Sequence, residues 1–199
     1  MSKILKVILT VFSILLILSC SSNEDKLFKA IEDGNLGKVQ SLIEDGVSVV
    51  SKNGNGLTPI EIARKNNSKN IEIYLYGELK KVFDNETNKL LKLKFSERLI
   101  ELKDIETLRK RDYKLYLDNN DSILNSMNSD QRMSENLLLE QEKYFKIHQE
   151  SIKKFINAKV DLIEDIMKVF IEKDYINGLK SKDCRNIVNV NIMLNLSEM

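Results

Sequence analysis

The sequence predicts an all-α fold in which short helix pairs pack on a bundle of long helices. Three observations lead there. The 199-residue chain holds a single proline, Pro59, so almost nothing in it forbids a helix. Beyond Gly77 only Gly178 remains of the seven glycines. Over the same stretch apolar residues recur at spacings of three and four, the pattern of a helix with one buried face.

The elements begin with a segment that is not fold. Lys3 and Lys6 precede a run from Val7 to Leu18 that is apolar except for Thr10 and Ser13. A membrane-crossing helix needs about 20 apolar residues. This run is shorter, and Ser21, Ser22, Asn23, Glu24 and Asp25 follow it in place of a basic stop-transfer cluster. It reads as an export signal. Ile17-Leu18-Ser19-Cys20 resembles the lipobox of bacterial lipoproteins, in the relaxed form of the spirochaetal, Borrelia-type members. By that resemblance the signal is of the lipoprotein kind, with an uncleaved anchor and an ordinary signal peptide as the alternatives to that kind. Ile17 and Leu18 depart from the Leu and small residue of the family pattern, and Ser19 fits it. The resemblance implies cleavage between Ser19 and Cys20, with a diacylglycerol and an N-acyl chain on Cys20. No other cofactor is expected. Several acyl chains on one residue hold a protein on a membrane firmly, at about 0.8 kcal/mol per buried methylene. Residues 1–19 are then the signal peptide, and 20–24 the lipidated cysteine and a tether of at most about 14 Å. The expected location is the cell envelope, at the outer membrane or cell surface rather than the inner membrane.

Removing residues 1–19 takes two lysines and no acid, so 29 basic and 30 acidic residues leave a formal charge of −1. That argues against a nucleic-acid partner, which requires a basic surplus. The basic residues of 89–114 are interleaved with acids, as on a solvated helix face. Cys184 has no second cysteine to pair with once Cys20 is acylated, and His148 is the only histidine. No metal cluster, histidine-based triad or phosphate loop is expected, and no catalytic residue is assigned.

Between Asp25 and Leu79 the chain repeats with a period of 33: Leu27 answers to Ile60, and Ala30 to Ala63. Thr58-Pro59-Ile60-Glu61 gives a helix start, Thr58 as cap and Pro59 in the first turn. With Gly34, Val39, Leu42, Ile43, Gly46 and Leu75, these residues resemble the ankyrin repeat, a unit of two short antiparallel helices and a projecting loop. The resemblance implies that residues 25–79 bind a protein through the loop, Ser51 to Gly56, and the first helices. The candidate contacts are Lys29, Asp33, Asn53, Asn55, Glu61 and Arg64. Asn66-Asn67 stands where the family has glycine, and Ile71 falls one place early, so the second helix there is expected to be shifted or frayed. Two units cannot close a stack, since about three are normally needed. Residues 80–199 are expected to supply the cap.

That helical region carries one stripe through Leu79, Val82, Phe83, Leu90, Leu93 and Ile100. A second runs through Phe145, His148, Ile152, Phe155, Ile163, Met167 and Phe170. Breaks are expected at 118–121, at Ser129-Asp130, at 157–159 and at Asn177-Gly178. His148 reads as a hydrogen-bonded core residue. Residues 187–196 alternate, as a strand does, or form a closing helix, which is preferred. The apolar spacing of 134–172 also allows a self-association seam, although Lys159 interrupts its heptad and a homo-oligomer is not favoured. The functional expectation is a non-enzymatic, lipid-anchored envelope protein binding another, unspecified protein through its ankyrin-like part. The competing expectation is a surface-exposed helical adhesin or immune-evasion lipoprotein that binds a host molecule through residues 80–199.

Overall fold

A computed structural model describes residues 22–127, 135–172 and 178–199, and among them all regular structure is helical. The helices are α1 (Asn23–Glu32), α2 (Leu36–Glu44), α3 (Pro59–Lys65), α4 (Lys69–Lys94), α5 (Ser96–Met127), α6 (Glu135–Glu172) and α7 (Ser181–Glu198). None of these is long and apolar enough to cross a membrane. The chain divides into two compact units. The first holds residues 22–82 and 178–180, and the second holds 83–127, 135–172 and 181–199. Their boundary in sequence falls inside α4 rather than in a linker.

The first unit repeats itself in backbone as well as sequence. α1 ends at Gly34 (φ +68°), whose N–H donates to Ile31 O (3.1 Å), while Asn35 N–H donates to Ala30 O (2.9 Å). Thirty-three residues on, Asn67 (φ +55°) donates to Arg64 O (3.1 Å) and Ser68 N–H to Ala63 O (2.9 Å). Both helices are thus closed by the same left-handed turn, and asparagine is among the few residues that take glycine's place there. α2 and α4 begin at Leu36 and Lys69, again 33 apart. α4 is not frayed, and its first buried residue, Ile71 at 2% exposed, comes one place earlier than the position answering to Val39, as the sequence suggests. Leu27, Val39, Ile60, Ala63 and Leu75 are fully buried, and Ala30 and Leu42 nearly so. Each large side chain among them contributes about 1.5–3 kcal/mol.

α1 starts earlier than the sequence suggests. Ser22 Oγ accepts the Asp25 N–H (3.1 Å) and the Asp25 carboxylate accepts the Ser22 N–H (3.1 Å), a reciprocal cap. Asn23 and Glu24 therefore belong to the helix and not to a tether.

The second unit is built on the antiparallel pair α5 and α6. Arg98 pairs with Asp165 near one end of their contact, and Gln141 Nε2 donates to Asn120 Oδ1 (3.1 Å) near the other. Residues 187–196 are helix. Their alternation conceals a polar row: Asn191 Nδ2 donates to Asp84 Oδ1 (2.6 Å) and Asn195 Nδ2 to Asn88 Oδ1 (3.0 Å). The spacing of four puts both asparagines on one face of α7 and both acceptors on one face of α4. Lys103 of α5 also reaches the Leu196 carbonyl.

Several expectations fail here, each because tertiary contact outweighs local preference. The break at 118–121 is absent, since α5 runs through it and Asn120 bonds across to α6. The break at 157–159 is absent too, because Phe155 and Leu162 on either side are buried in one face of α6. Asx residues cost only a few tenths of a kcal/mol in a helix, less than one such contact. The stripe on α4 follows Leu79, Phe83, Thr87 and Leu91, leaving Leu90 half-buried and Leu93 84% exposed, with Ile100 of α5 exposed as well. Thr87 escapes an apolar reading because its hydroxyl donates to Phe83 O within the helix (2.7 Å). His148 lies among rings, its centroid 4.9 Å from Tyr113 and 5.8 Å from Tyr116, and its Nδ1 has no hydrogen-bond partner among the described residues. The expected break at Ser129-Asp130 lies outside the described residues.

Candidate interaction surface

The segment from α2 to α3 is a loop whose own residues fix its shape. Val47 and Val49 are buried and pin its first half. Ser51 donates through its hydroxyl to Ser48 O (2.9 Å). Asn53 organises the tip: its Oδ1 accepts from Asn55 N–H (3.0 Å) and Leu57 N–H (2.9 Å), and its own N–H donates to Leu57 O (3.0 Å). Gly56 (φ +75°) closes the turn by donating to Asn53 O (2.8 Å). An asparagine bonding its own backbone two and four residues on makes a turn without tertiary help. Gly54 and Asn55 are left exposed at the tip.

At the loop's end Glu61 accepts both the Thr58 N–H (2.8 Å) and the Thr58 hydroxyl (2.7 Å) on one carboxylate oxygen. These two bonds hold its pKa below the usual 4.5, the backbone bond being the larger cause. Thr58 is buried and Pro59 occupies the first turn of α3. Arg64 donates through Nε to Glu72 (3.0 Å) and through a terminal nitrogen to Gly178 O (2.9 Å).

The six candidate contact residues therefore divide in two. Lys29, Asp33 and Asn55 are exposed. Asn53, Glu61 and Arg64 are committed to the loop, the helix start and the residue-178 turn respectively. Of the framework residues, Gly46 (φ +92°) closes α2 as Gly34 closes α1. Cys20 and Ser19 lie outside the described residues.

Sequence reasoning missed what lies over Ile60 and Leu79. Gly178 (φ +98°) approaches so closely that a Cβ there would stand 2.6 Å from Ile60 Cγ2 and 3.3 Å from Leu79 Cδ1. Leu179 packs on the same core, and Lys180 N–H donates to the Tyr76 hydroxyl (3.2 Å). Among the described residues, the turn 178–180, and not a third helix pair, covers this pair of helix pairs. Its one signal in sequence is that Gly178 is the only glycine after Gly77.

The electrostatics of the surface are modest. Its ion pairs are exposed and local, such as Lys69 with Glu72 (3.2 Å) and Lys81 with Glu78 (2.7 Å), and water screens them strongly. Among the described residues no group of three or more His, Cys, Asp or Glu side chains is placed to hold a metal ion. No family model, curated protein or solved structure matches the chain.

Proposed function

We propose that this chain is a lipid-anchored cell-envelope protein whose ankyrin-like helix pairs and loop bind another protein, without catalysis. The observation that carries the reading is the 33-residue recurrence of second-helix starts, left-handed turns and most buried positions in residues 22–82. Ankyrin units bind through loop tips and first helices, and here Asn55 occupies a tip while Lys29 and Asp33 lie on and just after a first helix. Two units offer about half of the roughly 800 Å² per partner of a standard interface. Other surface of the chain would have to complete it.

The anchor rests on the lipobox-like Ile17-Leu18-Ser19-Cys20. With α1 capped at Ser22, only Ser21 and Ser22 separate Cys20 from the helix, a reach of about 7 Å. The binding unit would then stand directly on the lipid surface.

Two experiments test the reading. Metabolic palmitate labelling should mark the wild-type chain and not Cys20→Ala, and label retained by that variant refutes the anchor. A photo-crosslinking residue at Lys29, Asp33 or Asn55 should capture one shared protein in cells. Capture from none of these, with capture from exposed positions of α5 and α6 instead, would favour the helical adhesin.

A further inference from the structure

α5 and α6 share a stripe that is covered at one end and bare at the other. Toward their α7 end its members are buried: Leu99 and Leu102 on α5, Met167 and Phe170 on α6. α7 finishes at the level of Lys103, which holds the Leu196 carbonyl. Beyond that level the same faces carry Tyr113, Leu117, Leu124, Leu138, Phe145 and Ile156, each 41–58% exposed. An open hollow of about 440 Å³ lies among them, between Tyr116, Leu138 and Phe145. From Lys103 to Met127 α5 runs about 36 Å, and two helices side by side make a face about 18 Å wide. That is about 650 Å² per copy, close to the roughly 800 Å² per partner of a stable interface.

Part of this face is palindromic, chiefly on α6, whereas Tyr113, Leu117 and Leu124 of α5 fall opposite Asp118, Lys114 and Thr107. On α6, Leu138 and Ile156 are equidistant from residue 147, as are Phe145 and Gln149, and Glu142 and Lys153 lie within one residue of the same symmetry. On α5, Asp121 and Lys110 are equidistant from a centre between residues 115 and 116. The two centres are level with each other, because Tyr116 meets Phe145 at 5.8 Å and Tyr113 meets His148 at 4.9 Å between ring centroids.

We infer that a second copy of this chain covers this face, antiparallel, about a two-fold axis that crosses both helices between the copies. Leu138 then meets Ile156 of the second copy, Glu142 meets Lys153, and Asp121 meets Lys110, each contact made twice as an isologous interface requires. Met127 falls level with Asp104 of the second copy, where α7 ends, so the second hairpin fills the groove up to the place α7 leaves it. The result is a four-helix bundle whose charges match in this register and clash in a parallel one.

Two differently tagged full-length copies, co-expressed and extracted in mild detergent, test it by co-purification. Wild-type copies should recover each other, and Phe145→Glu should reduce recovery at least tenfold with the helical circular dichroism unchanged. The acid-to-lysine pair Asp121→Lys with Glu142→Lys should fail to self-associate, and so should the lysine-to-acid pair Lys110→Glu with Lys153→Glu. One of each, co-expressed, should recover each other as wild type does. Monomeric wild type, insensitivity to Phe145→Glu, or a mixed pair no better than its parents would overturn the inference, the first assigning the face to a different protein.

Discussion

Gly178→Ala isolates the turn that closes the first unit. The new methyl would sit 2.6 Å from Ile60 Cγ2 and 3.3 Å from Leu79 Cδ1, on a backbone at φ +98° that side-chain-bearing residues rarely adopt. The backbone strain costs about 1–3 kcal/mol. Overpacking against a core side chain that is itself fully buried costs about 1–3 kcal/mol more. For a unit of about 60 residues each kcal/mol lowers the midpoint by about 4–8 °C, so the expected drop is at least about 10 °C. Two other glycines calibrate it. Gly34→Ala bears the backbone cost alone, because it sits at φ +68° with nothing within 4 Å of the new methyl, and should lose about 1–2 kcal/mol. Gly54→Ala has open space and no positive φ, and should leave stability unchanged or raised by a few tenths of a kcal/mol. Thermal melts followed by circular dichroism read all three. If Gly178→Ala melts with Gly34→Ala, the turn does not bear on Ile60, and the account of how two helix pairs close without a third fails.

Three further outcomes follow from the geometry. Asn191→Ala removes a buried amide bonded to Asp84 and should cost about 1–3 kcal/mol, read as a lower urea midpoint at constant slope; its effect should shrink in an Asp84→Ala background, and full additivity would mean the pair does not interact. Glu61 has a folded pKa below 4.5, so its bonds to Thr58 stabilise the fold above that pH and are lost as pH falls through the depressed value. Glu61→Gln should accordingly be less stable than wild type at pH 7 and converge with it as pH falls through that depressed value, and parallel acid limbs in melts taken downward from pH 7 would refute the assignment. Asn67→Gly should stabilise by a few tenths of a kcal/mol and Asn67→Ala destabilise by about 1 kcal/mol, since the site needs φ +55°; the reverse order in chemical denaturation would show that the turn is not left-handed.

What was legible in the sequence is what depends on neighbours a few residues away. The helical class follows from composition and spacing, and the pairing of Leu27 with Ile60 and Ala30 with Ala63 follows from a period that the backbone repeats at Gly34 and Asn67. Asn66-Asn67 looked like a departure only because residue type was weighed in place of conformation. The candidate surface was legible as a region but not atom by atom. Asn53 and Glu61 looked available as polar residues in a loop and at a helix start, and both spend their oxygens on nearby backbone. Long-range placement was the part out of reach. Nothing local marks Gly178 as the residue under Arg64, or Asn191 and Asn195 as partners of Asp84 and Asn88 more than a hundred positions earlier. The alternating pattern at 187–196 allowed a strand beside the preferred helix, because nothing local shows that the polar residues Asn191 and Asn195 are buried.

The order in which the chain emerges during synthesis gives those late residues a particular weight. Domains generally fold as units, the amino-terminal one first. Here the amino-terminal unit waits for residues 178–180 and the other unit for α7, so neither is finished until these later segments have been made. A chain released early would carry two open cores rather than one complete domain and a fragment. Quality control would meet it as wholly unfinished.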